Sequence, residues 1–118
     1  MLYLVSKPIP LTEGRYDVSR LSSDDLAQMI REAQSTGKLE SRIHYASTAA
    51  ALRALANVDI RTTSLAGDPY ITEADTVVEI RLKPGKEKGP VTLADLEFWE
   101  VRFTSPTAWP AIINQPNA

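Results

Sequence analysis

SRIHYAST (residues 41–48) leads directly into AAALRAL (residues 49–55). The first segment is extended and partly apolar, and an alanine-rich helix is predicted to begin at its end, with Ser47 or Thr48 capping the free N–H groups of the first turn. Because the positive end of the helix dipole lies behind those N–H groups, the junction is predicted to bind an anion. The small alanines leave it open to a phosphate or to a second copy of the chain. The alternative is an ordinary helix cap packed in a core.

A second helix is predicted before this junction, because apolar residues recur at helical spacing over residues 26–33. Ser22 stands at capping-box spacing from Asp25, and Gly37 fits just beyond the end of the helix. The remaining patterns are shorter. They predict strands at residues 2–5, 15–20, 58–65, 76–82 and 98–103, and a short strand or an extended lead-in at residues 39–45. A short helix is predicted at residues 93–96 with Thr92 as its cap.

The order of these elements, β-β-α-β-α-β-β-α-β, predicts an α/β fold with a single domain. It consists of a mixed sheet of about five strands with helices packed against it. We assign residues 1–104 to this domain. Residues 105–118 contain three prolines and no periodicity, and are predicted to be an appended tail. Since helices of this length cannot shield both faces of a sheet, a homodimer or a higher oligomer is expected to cover the exposed face.

Composition excludes several classes of function. The 118 residues carry a net charge of −2, which argues against a long nucleic acid as a partner. The chain has no cysteine, and His44 is its one histidine, so disulfides, thiol nucleophiles and histidine-rich metal sites are excluded. We expect no metal and no cofactor. The apolar run at residues 1–5 is too short for a signal peptide or a membrane span, so we expect a cytoplasmic protein without a membrane partner.

Four segments, in this order and spacing, carry a resemblance to a known family. They are LYLVSKP at residues 2–8, SRIHYAST at residues 41–48, RLKPGK at residues 81–86 and VTLADL at residues 91–96. In these segments the chain resembles a small viral and phage family, formerly a domain of unknown function, that includes the type III anti-CRISPR ring nucleases. The resemblance covers residues 2–103 and leaves the tail unexplained.

The resemblance implies a homodimer that holds a cyclic oligoadenylate in a pocket on its two-fold axis. The family's catalytic histidine falls on Tyr45, its assisting glutamate on Pro84, and the asparagine of its first strand on Ser6. The positions that are retained belong to the phosphate-holding type: Ser47, Thr48 and Arg81.

The replaced positions are those of the proton relay. Cleaving a 3′–5′ phosphodiester by attack of the 2′-hydroxyl requires a proton for the leaving 5′-oxygen, which histidine supplies near neutral pH and a phenol, with a reference pKa of about 10, does not. The chain is therefore predicted to bind and sequester a cyclic-nucleotide or ADP-ribose-derived immune second messenger without cleaving it, in the cytoplasm of an infected host cell. The predicted ligand-binding residues are Ser6, Lys7, His44, Tyr45, Ser47, Thr48, Arg81 and Lys83.

Two alternative functions stay open at this point. His44 faces away from Tyr45 in an extended segment, but a bulge before the helix would turn it inward and restore a metal-independent ring nuclease. The second alternative is a viral accessory factor that binds a protein or DNA. Arg81 either holds a phosphate in bidentate fashion or pairs with Glu79 on its own strand, and the loop that begins at Lys83 either covers an anionic ligand or is a solvated hairpin.

Overall fold

The computed structural model describes residues 1–7, 14–63, 71–85 and 91–105. Within these ranges the strands are β1 (Leu2–Val5), β2 (Arg15–Leu21), β3 (Leu39–Arg42), β4 (Thr76–Leu82) and β5 (Leu96–Ser105). The helices are α1 (Ser23–Ser35) and α2 (Ala46–Ala56), and a 3₁₀ turn spans Leu93–Asp95. In this part of the chain neither helix has the length and apolar character needed to cross a bilayer.

The strands form one five-stranded sheet in the order β2-β5-β4-β1-β3. Strand β1 is parallel to both of its neighbours, β3 and β4. Strand β5 is antiparallel to β4 and to β2. The predicted α/β fold with a mixed sheet is therefore confirmed. Because three parallel strands end at the same edge of the sheet, side chains that follow them are brought together there.

Local capping explains where two of the elements begin and end. The Ser22 hydroxyl accepts the N–H of Asp25 at 3.1 Å, which confirms the predicted cap of α1. Gly37, just beyond α1, has a positive φ of 68°, a backbone conformation that glycine adopts more readily than residues with a side chain. At the 3₁₀ turn, Asp95 Oδ2 accepts the Thr92 N–H at 2.9 Å and the Thr92 hydroxyl at 3.1 Å.

The main core lies between the sheet and the two helices. Leu26 and Ile30 of α1 and Leu52 of α2 are fully buried in it. They pack with strand side chains of even number, such as Leu4 and Val78, because successive side chains of a strand point to opposite faces of the sheet.

The other face of the sheet carries a smaller buried cluster. Val5, Val77 and Val101 form it, and Tyr3 and Tyr16 pack against it. The homodimer remains a prediction. So does the division into residues 1–104 and a tail: β5 runs to Ser105, and residues 106–118 lie outside the described ranges.

The predicted strand at residues 58–65 is wrong. Residues 64 and 65 lie outside the described ranges, and the described part forms no strand beyond one isolated bridge, from Thr62 to Ile43. The Ile60 carbonyl accepts Arg53 Nη1, from the neighbouring helix α2, at 2.6 Å instead of joining a strand ladder. Ile60 is nevertheless buried in the main core, which accounts for the apolar pattern. Of residues 39–45, predicted as a short strand or an extended lead-in, strand β3 takes Leu39–Arg42.

The turn before β4 holds a carboxylate in a network of hydrogen bonds. Asp75 Oδ2 accepts the Thr72 N–H at 2.9 Å and the Thr72 hydroxyl at 3.1 Å, and Asp75 Oδ1 lies 3.1 Å from the Met1 ammonium. Burial alone would raise the pKa of Asp75, but these hydrogen bonds and the ammonium charge together lower that pKa below its ordinary value.

We expect Asp75→Asn to be less stable than the native protein at neutral pH, with a difference that narrows in acid. The folded state binds the proton less tightly than the unfolded chain, so the stabilisation is complete above the unfolded-state pKa of about 3.9 and is lost as the pH falls through the folded-state pKa. Urea unfolding of both proteins over this pH range measures the effect. Glu73→Gln is the control, because it removes a charge from the same turn and none of these hydrogen bonds. A difference independent of pH would contradict the prediction.

Candidate functional site

A cavity of about 470 Å³ lies where the carboxyl ends of β1 and β4 meet the start of α2. Its volume lies within the range of small-molecule sites, and α/β proteins commonly bind ligands at this edge of the sheet. Its described lining residues are Ser6, Lys7, Tyr45, Ser47, Thr48, Ile80, Arg81, Leu82, Val91 and Leu96.

Helix α2 begins one residue before the Ser–Thr pair. Its N-cap is Tyr45, which has an extended backbone and makes no capping hydrogen bond through its side chain. The prediction that Ser47 or Thr48 caps the helix is therefore wrong, since both lie inside the first turn. Ile43 is the last residue bridged to the neighbouring segment, so the chain is able to turn into the helix directly afterwards, at Ala46.

This early start leaves the first turn of α2 open. The first backbone hydrogen bond of the helix joins the Ala49 N–H to the Tyr45 carbonyl at 3.1 Å. Among the described residues, none accepts the N–H groups of residues 46–48. Likewise, no described residue forms a hydrogen bond with the hydroxyl of Ser47 or Thr48. Because such N–H groups point outward along the helix axis, the open turn can hold an anion in the cavity.

Arg81 occupies the cavity edge and also pairs within its own strand. Its Nη2 donates to Glu79 Oε1 at 2.8 Å, and its Nε lies 3.3 Å from the same oxygen. The guanidinium carbon lies 5.2 Å from the centroid of the Trp99 ring. Arg81 is one of the residues that line the cavity, and its side chain is 41 % exposed.

Ser6 and Lys7 bring the end of β1 to the cavity. The Ser6 hydroxyl oxygen accepts the His44 N–H at 3.2 Å, which ties this strand to the approach of α2. The Ser6 hydroxyl proton is then available for a second partner. Lys7 is exposed and, with Arg81, gives the lining two cations; no carboxylate is among its described residues. The lining therefore favours an anionic ligand.

The floor of the cavity is apolar, a feature that was not predicted from the sequence. It is formed by Ile80 and Leu82 of β4 together with Val91 and Leu96. One feature of the sequence does indicate this floor, because the alternating pattern of β4 ends on an apolar residue at the edge of the sheet. Leu82 is 50 % exposed there, and Tyr45 is 62 % exposed. Such surfaces suit a ligand with an aromatic or apolar part as well as a charge.

Two of the predicted ligand-binding residues lie outside this lining. The His44 ring donates its Nδ1–H to the Thr63 carbonyl at 2.9 Å, on the side of the segment that faces residues 61–63. Lys83 is exposed and lines a separate concavity with Arg20 and Ser22. Of the predicted set, the cavity brings together Ser6, Lys7, Tyr45, Ser47, Thr48 and Arg81.

The described ranges contain no group of three or more histidine, cysteine, aspartate or glutamate side chains arranged to hold a metal ion. The chemistry available at the cavity therefore consists of backbone N–H groups, hydroxyls, two cations and apolar surface. Besides the lysine and the arginine, the described lining carries one phenol, that of Tyr45.

No protein-family model matches this chain, and no curated protein matches it either. Among solved structures, the chain is similar to B116 of Sulfolobus turreted icosahedral virus, with a TM-score of 0.68. The match covers 86 % of this chain and 97 % of that chain, at 14 % sequence identity. At this identity the likeness establishes the fold: the chain shares the α/β architecture of the viral protein.

Proposed function

We propose that this protein binds and sequesters an anionic nucleotide signal, a cyclic-nucleotide or ADP-ribose-derived immune second messenger, as a viral or phage counter-defence protein. The observation that carries the proposal is the open first turn of α2, whose unpaired N–H groups meet a cavity lined by Lys7 and Arg81. The viral source of a protein with the same fold and the resemblance in the four sequence segments support the viral setting.

The anionic part of the ligand follows from the donors. A phosphate prefers a helix N-terminus because several N–H groups converge on it and the helix dipole favours negative charge. The Ser47 hydroxyl and the Arg81 guanidinium add donors of the type that bind phosphate oxygens.

The nucleoside part follows from the apolar floor. A simple inorganic anion would leave Ile80 and Leu82 unused, whereas a nucleobase packs on apolar side chains and stacks on an exposed aromatic ring such as Tyr45. A nucleotide has both parts in one molecule. The proposed site is completed by a second copy of the chain, in a homodimer within the cytoplasm of the infected cell.

Sequestration rather than cleavage is favoured by the position of His44. A general acid must come within hydrogen-bond reach of the leaving oxygen. The imidazole instead donates to the Thr63 carbonyl and is absent from the described cavity lining. No carboxylate is in that lining to replace it.

Recovery of the bound ligand tests this proposal. The purified protein is incubated without metal with cyclic di-AMP, cyclic tri- and tetra-adenylate and ADP-ribose derivatives, and is then denatured by heat. Intact ligand released on denaturation is the expected result. Shortened or linear products would identify a nuclease instead, and the absence of binding across the panel would favour a protein- or DNA-binding role.

We expect Tyr45→Ala and Arg81→Ala each to weaken retention of the bound nucleotide about tenfold or more. The first removes a stacking surface worth about 1–3 kcal/mol per base, and the second removes a charge-assisted donor. Equilibrium dialysis or calorimetry measures the affinities. Lys83→Ala is the matched control, since it removes a cation that lies outside the cavity lining. Unchanged retention in both site variants would mean that the ligand binds elsewhere.

A further inference from the structure

Glu79 is a buried carboxylate with one cation beside it. Its side chain is 8 % exposed and lies on β4, two residues before Arg81 and on the same face of the sheet. Burying a carboxylate is costly unless charged donors satisfy it. The hydrogen bonds of Glu79 in the described part of the chain both come from Arg81.

The contacts of Arg81 fix its guanidinium on two sides. One edge is held by Glu79 Oε1, which receives Nη2 at 2.8 Å and Nε at 3.3 Å. One face is held by the Trp99 ring, 5.2 Å away. An arginine has five N–H donors, so these two bonds leave about three for other partners. The side chain remains 41 % exposed, and the residue lines the cavity.

Lys7, the other cation of the lining, has no such support. It is exposed, and no described residue forms an ion pair or hydrogen bond with it. The lining therefore combines an ammonium that has no described partner with a guanidinium that contacts both Glu79 and Trp99. Fixing a donor in advance lowers the entropy that is lost when it binds.

We propose that Glu79 is a positioning residue for the ligand site: it holds Arg81 against Trp99 so that the free edge of the guanidinium is presented to an anion in the cavity. As a role in ligand affinity, this inference rests on the proposed function. The positioning role predicts that substitution of Glu79 weakens ligand binding, whereas simple electrostatics predicts that it strengthens binding. Removing a negative charge beside an anion site should tighten binding, whereas removing the support of Arg81 should weaken it.

The test compares Glu79→Gln with Glu97→Gln. Glu97 is paired with Arg81 across β4 and β5 and lies 3.4 Å from Arg20, so its substitution removes one negative charge nearby without removing a hydrogen bond to Arg81. Its Oε1 accepts the Trp99 indole N–H at 3.5 Å, and glutamine retains this acceptor. In titrations with cyclic tetra-adenylate, we expect Glu79→Gln to bind about tenfold more weakly than the native protein. We expect Glu97→Gln to bind equally well or slightly more tightly. Tighter or unchanged binding by Glu79→Gln would overturn the proposal.

A measurement without ligand separates this inference from the proposed function. The Nε–H resonance of Arg81, followed by ¹⁵N relaxation, should report an ordered guanidinium in the native protein and in Glu97→Gln, and a mobile one in Glu79→Gln. Equal order in all three proteins would overturn the positioning role even if the nucleotide binds. If the native protein fails to bind the probe, the proposed function fails for that nucleotide, and the relaxation data alone decide whether Glu79 fixes Arg81.

Arg81→Lys covers the case in which Glu79→Gln does not fold. Lysine keeps the charge at this partly exposed position but lacks the planar fork that Glu79 and Trp99 hold. We expect the folded Arg81→Lys protein to bind cyclic tetra-adenylate about tenfold more weakly, to a similar degree as Glu79→Gln. Native affinity in Arg81→Lys would show that a fixed orientation is not needed, and would contradict the proposal.

Discussion

Ser47→Asp is expected to weaken nucleotide binding about a hundredfold or more and, at the same time, to stabilise the folded protein. Ser47 is half-buried in the first turn of α2 and lines the cavity. An aspartate there brings a fixed negative charge to the place proposed for a phosphate, and its carboxylate competes for the same N–H groups. The loss of charge-assisted hydrogen bonds together with repulsion between like charges amounts to at least about 2–3 kcal/mol.

The same aspartate should stabilise the free protein, because a negative charge in the first turn interacts favourably with the helix dipole, by about 0.3–1 kcal/mol. Binding and stability therefore change in opposite directions, which a general loss of structure cannot produce. Calorimetric titration and thermal unfolding of the same sample measure the two effects. Ser23→Asp, at the first position of α1, is the matched control: it makes the same chemical change at the other helix start, away from the cavity. Retained affinity in Ser47→Asp would exclude the start of α2 as the anion site.

Leu52→Ala is expected to lower the free energy of unfolding by about 2–5 kcal/mol, a large part of the roughly 5–15 kcal/mol that stabilises a typical domain. Leu52 is 0 % exposed and packs in the main core, where it fastens α2 to the sheet and to α1. The substitution removes buried methyl groups and leaves a cavity that close-packed neighbours only partly fill.

Urea unfolding measures this effect as a lower midpoint with an unchanged dependence on denaturant. Leu52→Met is the control, because it conserves volume and should cost less than about 1.5 kcal/mol. Since α2 also carries the open turn, the alanine variant should lose ligand affinity at temperatures where the methionine variant retains it. A loss below about 1 kcal/mol in Leu52→Ala would show that α2 is not fastened at this position.

Periodic elements of the fold were predictable, because their physical cause is local. The apolar spacing of α1, its Ser22 cap and the alternation along β4 depend on residues close in sequence, and all three are present in the structure. The segment at residues 58–65 was mispredicted because its conformation depends on a contact with another element of the fold. Ile60 is buried in the main core and Val58 packs against it, but Arg53, from a different element, donates to a carbonyl that a strand would have used.

The polar part of the candidate site was also predicted from the sequence, because an alanine-rich helix starts at residues 47–48 and because the family resemblance retains Ser47, Thr48 and Arg81. Its apolar floor was not visible. Val91 and Leu96 reach the cavity through the pairing of β5 with β4, and strand pairing is not encoded by spacing along the chain. The first residue of α2 depends on where the bridge at Ile43 releases the backbone, which is again a tertiary effect.

The uncapped beginning of α2 has a consequence for how occupancy and folding are linked. Most helices complete their own ends with a serine or aspartate side chain, as α1 does. In α2 the backbone N–H groups of residues 46–48 have no acceptor among the described residues and are available to water or to a ligand. A ligand that accepts these N–H groups supplies the cap that the polypeptide itself lacks. Ligand binding should therefore also stabilise the first turn of α2.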